Sequence, residues 1–216
     1  MILEKITVSP ILENCYIIGD EVTKQGIIID PGDEADRILR RVDALGLRID
    51  KIVNTHAHVD HVCAVQAVKE ALGAKFYLHP AETMHLPRLL ESAAMFGISD
   101  ARVPEVDVAL NDGDVIAFGS HELKVVNTPG HTPGHCILIV GEDVFCGDLI
   151  FAGSIGRTDF PGGDYPTILA SLESAILTLR GESRLHPGHG PSTTVAVERE
   201  YNPFLRGLSP RPVRDT

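Results

Sequence analysis

Positive charge and long hydrophobic runs are both scarce in this sequence. Its 216 residues include 19 lysines and arginines against 30 aspartates and glutamates, a formal net charge of -11 at pH 7. Nucleic-acid binding needs a basic face, so this balance argues against a nucleic-acid partner. No apolar run approaches the length of a membrane span, and the N-terminal residues lack the apolar region of a secretory signal. We therefore expect a cytoplasmic protein with no membrane partner.

Cysteine pairs and the serine hydrolase motif are also missing. The four cysteines, Cys15, Cys63, Cys136 and Cys146, show no CxxC spacing. We interpret them as reduced thiols in the core, which argues against a secreted enzyme. No GxSxG motif occurs, so the sequence does not indicate a nucleophilic serine.

A dense cluster of potential metal ligands is present instead. His56, His58, Asp60 and His61 fall within six residues, directly after an apolar run that ends at Val53. Side chains alternate along a strand, so His56 and His58 can point the same way as the chain leaves the sheet. Asp60 and His61 then begin the next helix, with Asp60 as the expected N-cap. Imidazole and carboxylate together suit a hydrolytic zinc or iron site.

Three later stretches offer further ligands at the ends of short strand-like runs. Each places a histidine or aspartate beside glycine or proline, which is typical of a turn where a strand ends. The residues are His131 in Thr128–His135, Asp148 in Cys146–Asp148 and His189 in Leu185–Gly190. Because strand ends can meet at one edge of a sheet, we expect these side chains to converge.

Strand-like and helix-like patterns alternate along the chain. The predicted strands are Leu3–Val8, Cys15–Ile18, Gly26–Ile29, Lys51–Asn54, Lys75–Leu78, Val115–Phe118, Glu122–Val126, Ile137–Val140, Val144–Cys146 and a short one reaching His186. Helices are predicted from Asp33 to Leu45, from Asp60 to Leu72, around Ile168–Leu179 and over Thr194–Tyr201. Residues 80–104 are interpreted as helical cover over the site, with an ordinary packed helix pair as the alternative. Strands followed by helices, twice over, predict two βα halves packed sheet to sheet.

The ligand motifs carry a resemblance to a known family. HAHVDH at 56–61, His131, Asp148 and His189, in this order and spacing, resemble the metallo-β-lactamase superfamily of binuclear metallohydrolases. GDLIFAGSIGRTDFPGGD at 147–164 is similar to the glyoxalase II-like (hydroxyacylglutathione hydrolase-like) branch. The resemblance spans residues 2 to about 205. It implies an α/β fold, an αββα sandwich of two mixed sheets with helices on the outer faces. A single domain over 1–216 is expected, without the C-terminal helical domain of glyoxalase II proper.

The same resemblance assigns roles to the ligands. His56, His58 and His131 would hold one divalent metal, and Asp60, His61 and His189 a second, with Asp148 bridging both. Zinc is the first expectation for both ions, with iron or manganese as alternatives. Asp60 and Asp148 are the expected catalytic carboxylates. A metal-bound hydroxide would then attack the substrate carbonyl. A thioester such as S-(2-hydroxyacyl)glutathione is the expected substrate, because a thiolate leaves readily.

Two further residues have less specific assignments. Arg157 stands at the basic position that holds glutathione in glyoxalase II, but it could pair with Asp159, which replaces a tyrosine there. Asp30 could accept a hydrogen bond from a ligand histidine, or serve only as a turn residue. The remaining histidines are expected to have no ligand role: His79, His85, His121, His135 and His186.

Three alternative functions stay open from the sequence. One is a mononuclear iron persulfide dioxygenase of the same branch, against which His135 and the run Gly188–Pro191 count. Another is a metallohydrolase for a different ester or a lactone. The third is a metal-binding module without turnover. The expected partner is a small-molecule thioester, and the sequence leaves a homo-oligomer open.

Overall fold

Two compact units divide the chain in the computed structural model, which describes residues 1–211. The first unit contains Met1–Leu110 and Val115–Leu123, and the second contains Asn111–Asp114 and the residues from Lys124 onward. Residues 212–216 of the predicted single domain lie outside the described part, and that domain assignment stays a prediction. Among the described residues, no helix is long and apolar enough to cross a membrane.

The first unit is built on a mixed sheet with the strand order β1-β2-β3-β4-β5-β6. These strands are β1 (Ile2–Val8), β2 (Glu13–Gly19), β3 (Gln25–Ile29), β4 (Arg48–Val53), β5 (Lys75–Leu78) and β6 (Val108–Ala109). Strands β1 to β3 pair antiparallel, and β3 to β6 pair parallel. The unit also includes β7 (Val115–Phe118). The carboxyl ends of β3 and β4 lie side by side, which places the residues that follow them at one edge of the sheet.

Helices of the first unit cover this sheet with apolar faces. They are α1 (Ala35–Leu45), α2 (Val59–Val62), α3 (Val65–Leu72) and α4 (Leu89–Met95), with 3-10 turns at Pro80–Met84 and Leu86–Arg88. Ile38 and Val42 of α1 and Val65 and Val68 of α3 are buried in the same core cluster. Gly46 ends α1 at a φ of 63°, where its N–H caps the carbonyls of the last turn. Burial of these apolar faces holds the helices in place.

The second unit has its own mixed sheet, in which strands follow the order β14-β13-β10-β9-β8. They are β8 (His121–Asn127, which belongs to this unit from Lys124 onward), β9 (Cys136–Val140), β10 (Asp143–Gly147), β13 (Arg184–Pro187) and β14 (Thr193–Thr194). Only β10 and β13 pair parallel in this series. A separate hairpin joins β11 (Ile150–Phe151) to β12 (Ser154–Ile155). Helices α5 (Tyr165–Ser171), continued by a π turn at Leu172–Ile176, and α6 (Val195–Tyr201) complete the unit, followed by a 3-10 turn at Pro203–Leu205.

The predicted α/β class with two mixed sheets and helices is confirmed, but several local predictions are wrong. Asp60 is not an N-cap, because His58 holds the extended N-cap position of α2 and Asp60 is inside the helix. The helix predicted to run to Leu72 is interrupted after Val62. The helix predicted to reach Leu179 changes to a π turn after Ser171. Strands β6, β11, β12 and β14 were not predicted, because a two-residue strand is too short to show alternation.

Candidate metal centre

The histidine loop of the first unit follows β4 at the edge of its sheet. The ring centroids of His56 and His61 lie 4.1 Å apart, and those of His56 and His58 lie 4.8 Å apart. Asp60 Oδ2 is 3.8 Å from His61 Nε2. Asn54 closes the loop, because its Nδ2 donates to the carbonyl of His61 at 2.7 Å. The structure therefore brings the four predicted ligands of this unit together.

Asp30, at the end of β3, lies directly behind this loop. Its Oδ2 contacts His61 Nδ1 at 3.0 Å and accepts from Thr55 Oγ1 at 2.6 Å, while Oδ1 accepts from Thr55 N–H at 2.7 Å. A carboxylate at Nδ1 makes that nitrogen the donor and leaves the lone pair on Nε2. Both carboxylate oxygens are thus engaged with the protein. This is the outer position that the sequence suggested for Asp30.

Glu82 supports the loop from the other side, and sequence reasoning missed it. This fully buried carboxylate accepts from Ala57 N–H at 2.8 Å, between His56 and His58. It also lies 4.0 Å from His85 Nε2, and the His85 ring packs against His58 at 5.2 Å. The turn that carries Glu82 belongs to the segment interpreted from sequence as cover. No local pattern could have identified Glu82, because its partner lies 25 residues away.

The second unit gathers its own three predicted ligands. Asp148 Oδ2 lies 3.6 Å from His131 Nε2 and 3.7 Å from His189 Nε2. Asp148 follows β10 and His189 follows β13, and these strands are parallel neighbours. His131 comes from the loop between β8 and β9. The carboxyl ends of two parallel strands and one adjacent loop thus meet at a single carboxylate oxygen.

The tautomer of His131 is set by its neighbour. Its Nδ1 lies 2.7 Å from the carbonyl oxygen of Arg157. A carbonyl can only accept, so Nδ1 carries the proton and Nε2 carries the lone pair. Gly156 allows this close approach, because a Cβ there would lie 1.8 Å from the Asp148 carbonyl oxygen and 3.0 Å from His131 Nδ1.

Each of the two donor separations about Asp148 fits two ligands of one divalent cation. Ligands of one tetrahedral ion with bonds near 2.0–2.1 Å lie roughly 3.4 Å from one another. The separations of 3.6 and 3.7 Å about Asp148 Oδ2 are close to this value. Imidazole nitrogen and carboxylate oxygen are donors that zinc and iron both accept. The residues present therefore suit the metals expected for them.

Arg157 is occupied by a neighbour in the structure. Its guanidinium donates to both carboxylate oxygens of Asp159 at 2.7 Å and lies 3.7 Å above the ring of Phe160. The hydrogen bond from Arg157 lowers the pKa of the exposed Asp159 carboxyl to about 2. The sequence left two roles open for Arg157, and the structure contains the pairing with Asp159.

The other five histidines make different contacts. His135 joins Thr128 to the backbone of Asp148, and His186 joins Asp143 to Ser192. His79 accepts from Ala81 N–H at the start of a 3-10 turn. His85 packs on His58, and His121 lies 3.8 Å from Asp20.

The four cysteines are free and buried, as expected for a reduced core. Burial, with the nearby carboxylates of Asp33 and Asp60, raises the pKa of the Cys63 thiol to about 12. Burial also raises the pKa of Cys15 and of Cys146. These thiols therefore stay protonated at neutral pH and do not act as nucleophiles.

Known proteins are similar to this chain in sequence and in fold. Residues 8–189 match the family model of the metallo-beta-lactamase superfamily. Hydroxyacylglutathione hydrolase GloC of Haemophilus influenzae is 36% identical over 218 residues, which cover 97% of this chain and 100% of that protein.

Solved structures show the same similarity. BLEG-1 B3 metallo-beta-lactamase aligns with a TM-score of 0.88 and 35% identity, over 95% of this chain and 100% of that one. TTHA1623 in a di-iron-bound form aligns with a TM-score of 0.84 and 40% identity, over 94% and 100%. ETHE1 from Myxococcus xanthus aligns with a TM-score of 0.79 and 31% identity, over 94% and 84%. The chain therefore belongs to the metallo-β-lactamase superfamily, as a glyoxalase II-like member.

Proposed function

We propose that this chain is a binuclear metal-dependent hydrolase that cleaves a thioester such as S-(2-hydroxyacyl)glutathione. The observation that carries the proposal is the position of Asp148 Oδ2 between His131 Nε2 and His189 Nε2. A carboxylate flanked by two imidazoles is suited to bridging two ions. The similarity to a relative named hydroxyacylglutathione hydrolase GloC supports the thioester class.

The ligand assignment follows from chemistry and family membership. In the proposed centre, His56, His58 and His131 hold one ion, Asp60, His61 and His189 hold the other, and Asp148 bridges them. The di-iron form of TTHA1623 supports a count of two and includes iron among the candidates. Zinc is the first metal to test, followed by iron and manganese.

Such a metal pair would lower the pKa of a shared water towards neutrality and polarise the substrate carbonyl. Asp60 and Asp148 would hold the ions and orient the attacking water, and the proton of that water would pass to solvent. Asp30 keeps the lone pair of His61 on Nε2, and the Arg157 carbonyl does the same for His131. The thiolate product leaves without protonation by an acid, which favours a thioester over an amide.

The proposed partner is a small molecule rather than nucleic acid or a membrane. A formal net charge of -11 works against phosphate backbones and anionic lipid surfaces. We place the enzyme in the cytoplasm, in keeping with its four free buried cysteines.

A second candidate is a mononuclear iron persulfide dioxygenase of the same branch. The 31% identity to ETHE1 supports it. A metallohydrolase for another ester or a lactone is the related alternative, and the likeness to a B3 metallo-beta-lactamase makes a cyclic amide a useful control substrate.

The experiment compares these activities in one preparation purified without chelator. We expect hydrolysis of S-D-lactoylglutathione, followed as loss of the thioester absorbance, with two metal ions per chain by elemental analysis. We expect no oxygen uptake with glutathione persulfide and no turnover of a chromogenic β-lactam. One iron per chain together with oxygen uptake would instead establish the dioxygenase.

A further inference from the structure

His135 occupies a position between two of the proposed ligands. It ends the loop that carries His131 and directly precedes β9. The loop is closed at its base twice, because Thr128 N–H donates to the His135 carbonyl at 2.8 Å and Thr128 Oγ1 contacts His135 Nδ1 at 2.9 Å. The His135 side chain is fully buried. Its ring is therefore held within the protein rather than solvated.

The opposite nitrogen of the same ring contacts Asp148. The backbone N–H of Asp148 donates to His135 Nε2 at 3.1 Å. Asp148 lies just beyond β10, where the β10 and β13 ladder is irregular between Phe145 and Gly147. Its amide has left the regular sheet, and the imidazole supplies an acceptor in place of a strand carbonyl.

This pair of contacts allows only one protonation state. A backbone amide always donates, so Nε2 must carry the lone pair and Nδ1 must carry the proton. The protonated Nδ1 then donates to Thr128 Oγ1. An imidazolium ring, or a neutral ring protonated on Nε2, would point a proton at the Asp148 amide and lose the contact.

We propose that His135 is a positioning residue that sets the backbone of Asp148 against the His131 loop. The inference rests on the proposed function for its catalytic consequence, because Asp148 is the proposed bridging ligand there. The positioning of the Asp148 backbone by His135 does not itself require metal or substrate. The 3.6 Å separation of His131 Nε2 and Asp148 Oδ2 is the distance that His135 maintains.

Amide side chains test this role, because each one mimics a single nitrogen of the ring. In His135→Gln, the terminal oxygen can reach the Nε2 position and still accept from the Asp148 amide. In His135→Asn, only the Nδ1 position and its contact with Thr128 can be kept. His135→Phe fills the volume and keeps neither contact.

We expect His135→Gln to keep both metals and to hold kcat within a few-fold of the native value. His135→Asn and His135→Phe are expected to lose metal affinity and kcat by roughly 10- to 100-fold, the usual effect of losing an outer partner, with a smaller change in KM. Thermal unfolding of each variant separates this effect from misfolding. A glutamine variant no better than the asparagine variant, with both folded, would overturn the proposal.

A second measurement needs neither turnover nor a variant that folds. Imidazole ¹⁵N chemical shifts of the metal-free native chain distinguish the two neutral tautomers and the imidazolium. We expect His135 as the Nδ1–H form, with slow hydrogen exchange at the Asp148 amide. An Nε2–H tautomer would overturn the proposal, even in a chain that hydrolyses thioesters. If the chain shows the expected tautomer but hydrolyses no thioester, the positioning role of His135 is retained and only the proposed substrate is rejected.

Discussion

A histidine that binds a metal almost always donates a hydrogen bond from its other ring nitrogen, and two proposed ligands here have different acceptors. Asp30 presents a charged carboxylate to His61 Nδ1, whereas the Arg157 carbonyl is neutral when it accepts from His131 Nδ1. Hydrogen bonds that involve a charged partner are stronger than neutral ones. A carboxylate also makes the ring a better electron donor. We therefore expect metal binding by His61 to depend more on Asp30 than metal binding by His131 depends on the Arg157 carbonyl.

Replacing Asp30 with asparagine tests this dependence. Asp30→Asn removes the charge behind His61 but keeps the side-chain volume, so we expect metal affinity and kcat to fall roughly 10- to 100-fold. Competitive chelator titration and steady-state kinetics measure the two quantities. The matched control is Asp50→Asn, an exposed carboxylate paired with Lys51 at 2.6 Å, which should change neither. Equal behaviour of the two variants would contradict the role of Asp30.

Gly156 tests how closely the loops around Asp148 pack. In Gly156→Ala the new Cβ would lie 1.8 Å from the Asp148 carbonyl oxygen, so the backbone must shift. We expect a loss of about 1–3 kcal/mol in the free energy of unfolding and a larger proportional loss of metal affinity.

The control for this substitution is Gly181→Ala, where the nearest atom would be Ala196 Cβ at 3.4 Å. We expect urea unfolding to show little change in this variant. If Gly156→Ala and Gly181→Ala bound metal with equal affinity, the close approach at Gly156 would not matter for metal binding.

Strands β10 and β13 carry Asp148 and His189 at their ends, and a partly buried ion network joins the beginnings of the same strands. Arg184 donates to both oxygens of Asp143 at 2.7 Å, and His186 Nε2 lies 2.8 Å from Asp143 Oδ1. His186 Nδ1 also contacts Ser192 Oγ at 3.0 Å across the turn that contains His189. The carboxylate of Asp143 therefore helps to fix the register between β10 and β13.

The pH dependence of stability reports on this network. Burial raises the pKa of the Asp143 carboxyl, but hydrogen bonds from Arg184 and His186 outweigh it, and the pKa is lowered overall. A carboxylate with a lowered folded pKa stabilises the protein fully above its unfolded pKa, near 3.9, and loses this contribution as pH falls through the folded pKa. We expect Asp143→Asn to lower the free energy of unfolding by about 1–3 kcal/mol at pH 7.

The difference between the native chain and Asp143→Asn should shrink as the pH is lowered from about 5 towards 3. Urea unfolding across this range measures it. The control is Glu142→Gln, an exposed partner of the same Arg184, which should stay within about 0.5 kcal/mol of the native chain throughout. A difference for Asp143→Asn that does not change with pH would show that lost packing, not charge, is responsible.

The turn Pro80–Met84 is the element that supports the histidine loop through Glu82. Glu82→Gln keeps an oxygen for the Ala57 amide, whereas Glu82→Ala leaves that buried N–H without this acceptor. We expect Glu82→Ala to speed hydrogen exchange at Ala57 and to weaken metal binding, and Glu82→Gln to do so much less. Equal exchange rates in the two variants would show that the hydrogen bond does not hold the loop.

Elements with enough residues to show a pattern could be predicted from the sequence. The alternation in Val115–Phe118 and the run Lys75–Leu78 gave strands with the observed bounds. The first ligand motif was predictable because its four ligands fall within His56–His61, and the later ligands because His131, Asp148 and His189 each sit beside glycine. Glu82 and His135 could not be assigned as supports, because each acts on a backbone amide 25 or 13 residues away. A side chain that recognises backbone leaves no pattern of residue types at its partner.

At the scale of the whole molecule, each of the two units has its own sheet and core and carries some of the proposed ligands. Within each unit the side chains are already ordered by their neighbours, Asp30 and Glu82 in the first and His135 in the second. The metals then have few side chains to order when they bind. Their binding energy is then available to stabilise the folded state.

Removal of metal should therefore change the unfolding of the entire chain. At metal concentrations a thousand times the dissociation constant, one bound ion adds about 4 kcal/mol to stability. For a chain of this size we expect the unfolding temperature to fall by roughly 8–16 °C for each ion that chelation removes. Calorimetry of the metal-loaded and chelated chain measures this shift, and readdition of zinc should restore it. If the ions bind both units, the loaded chain should unfold in one transition at a temperature that rises with zinc concentration, whereas ions held by one unit alone would shift only part of the unfolding heat.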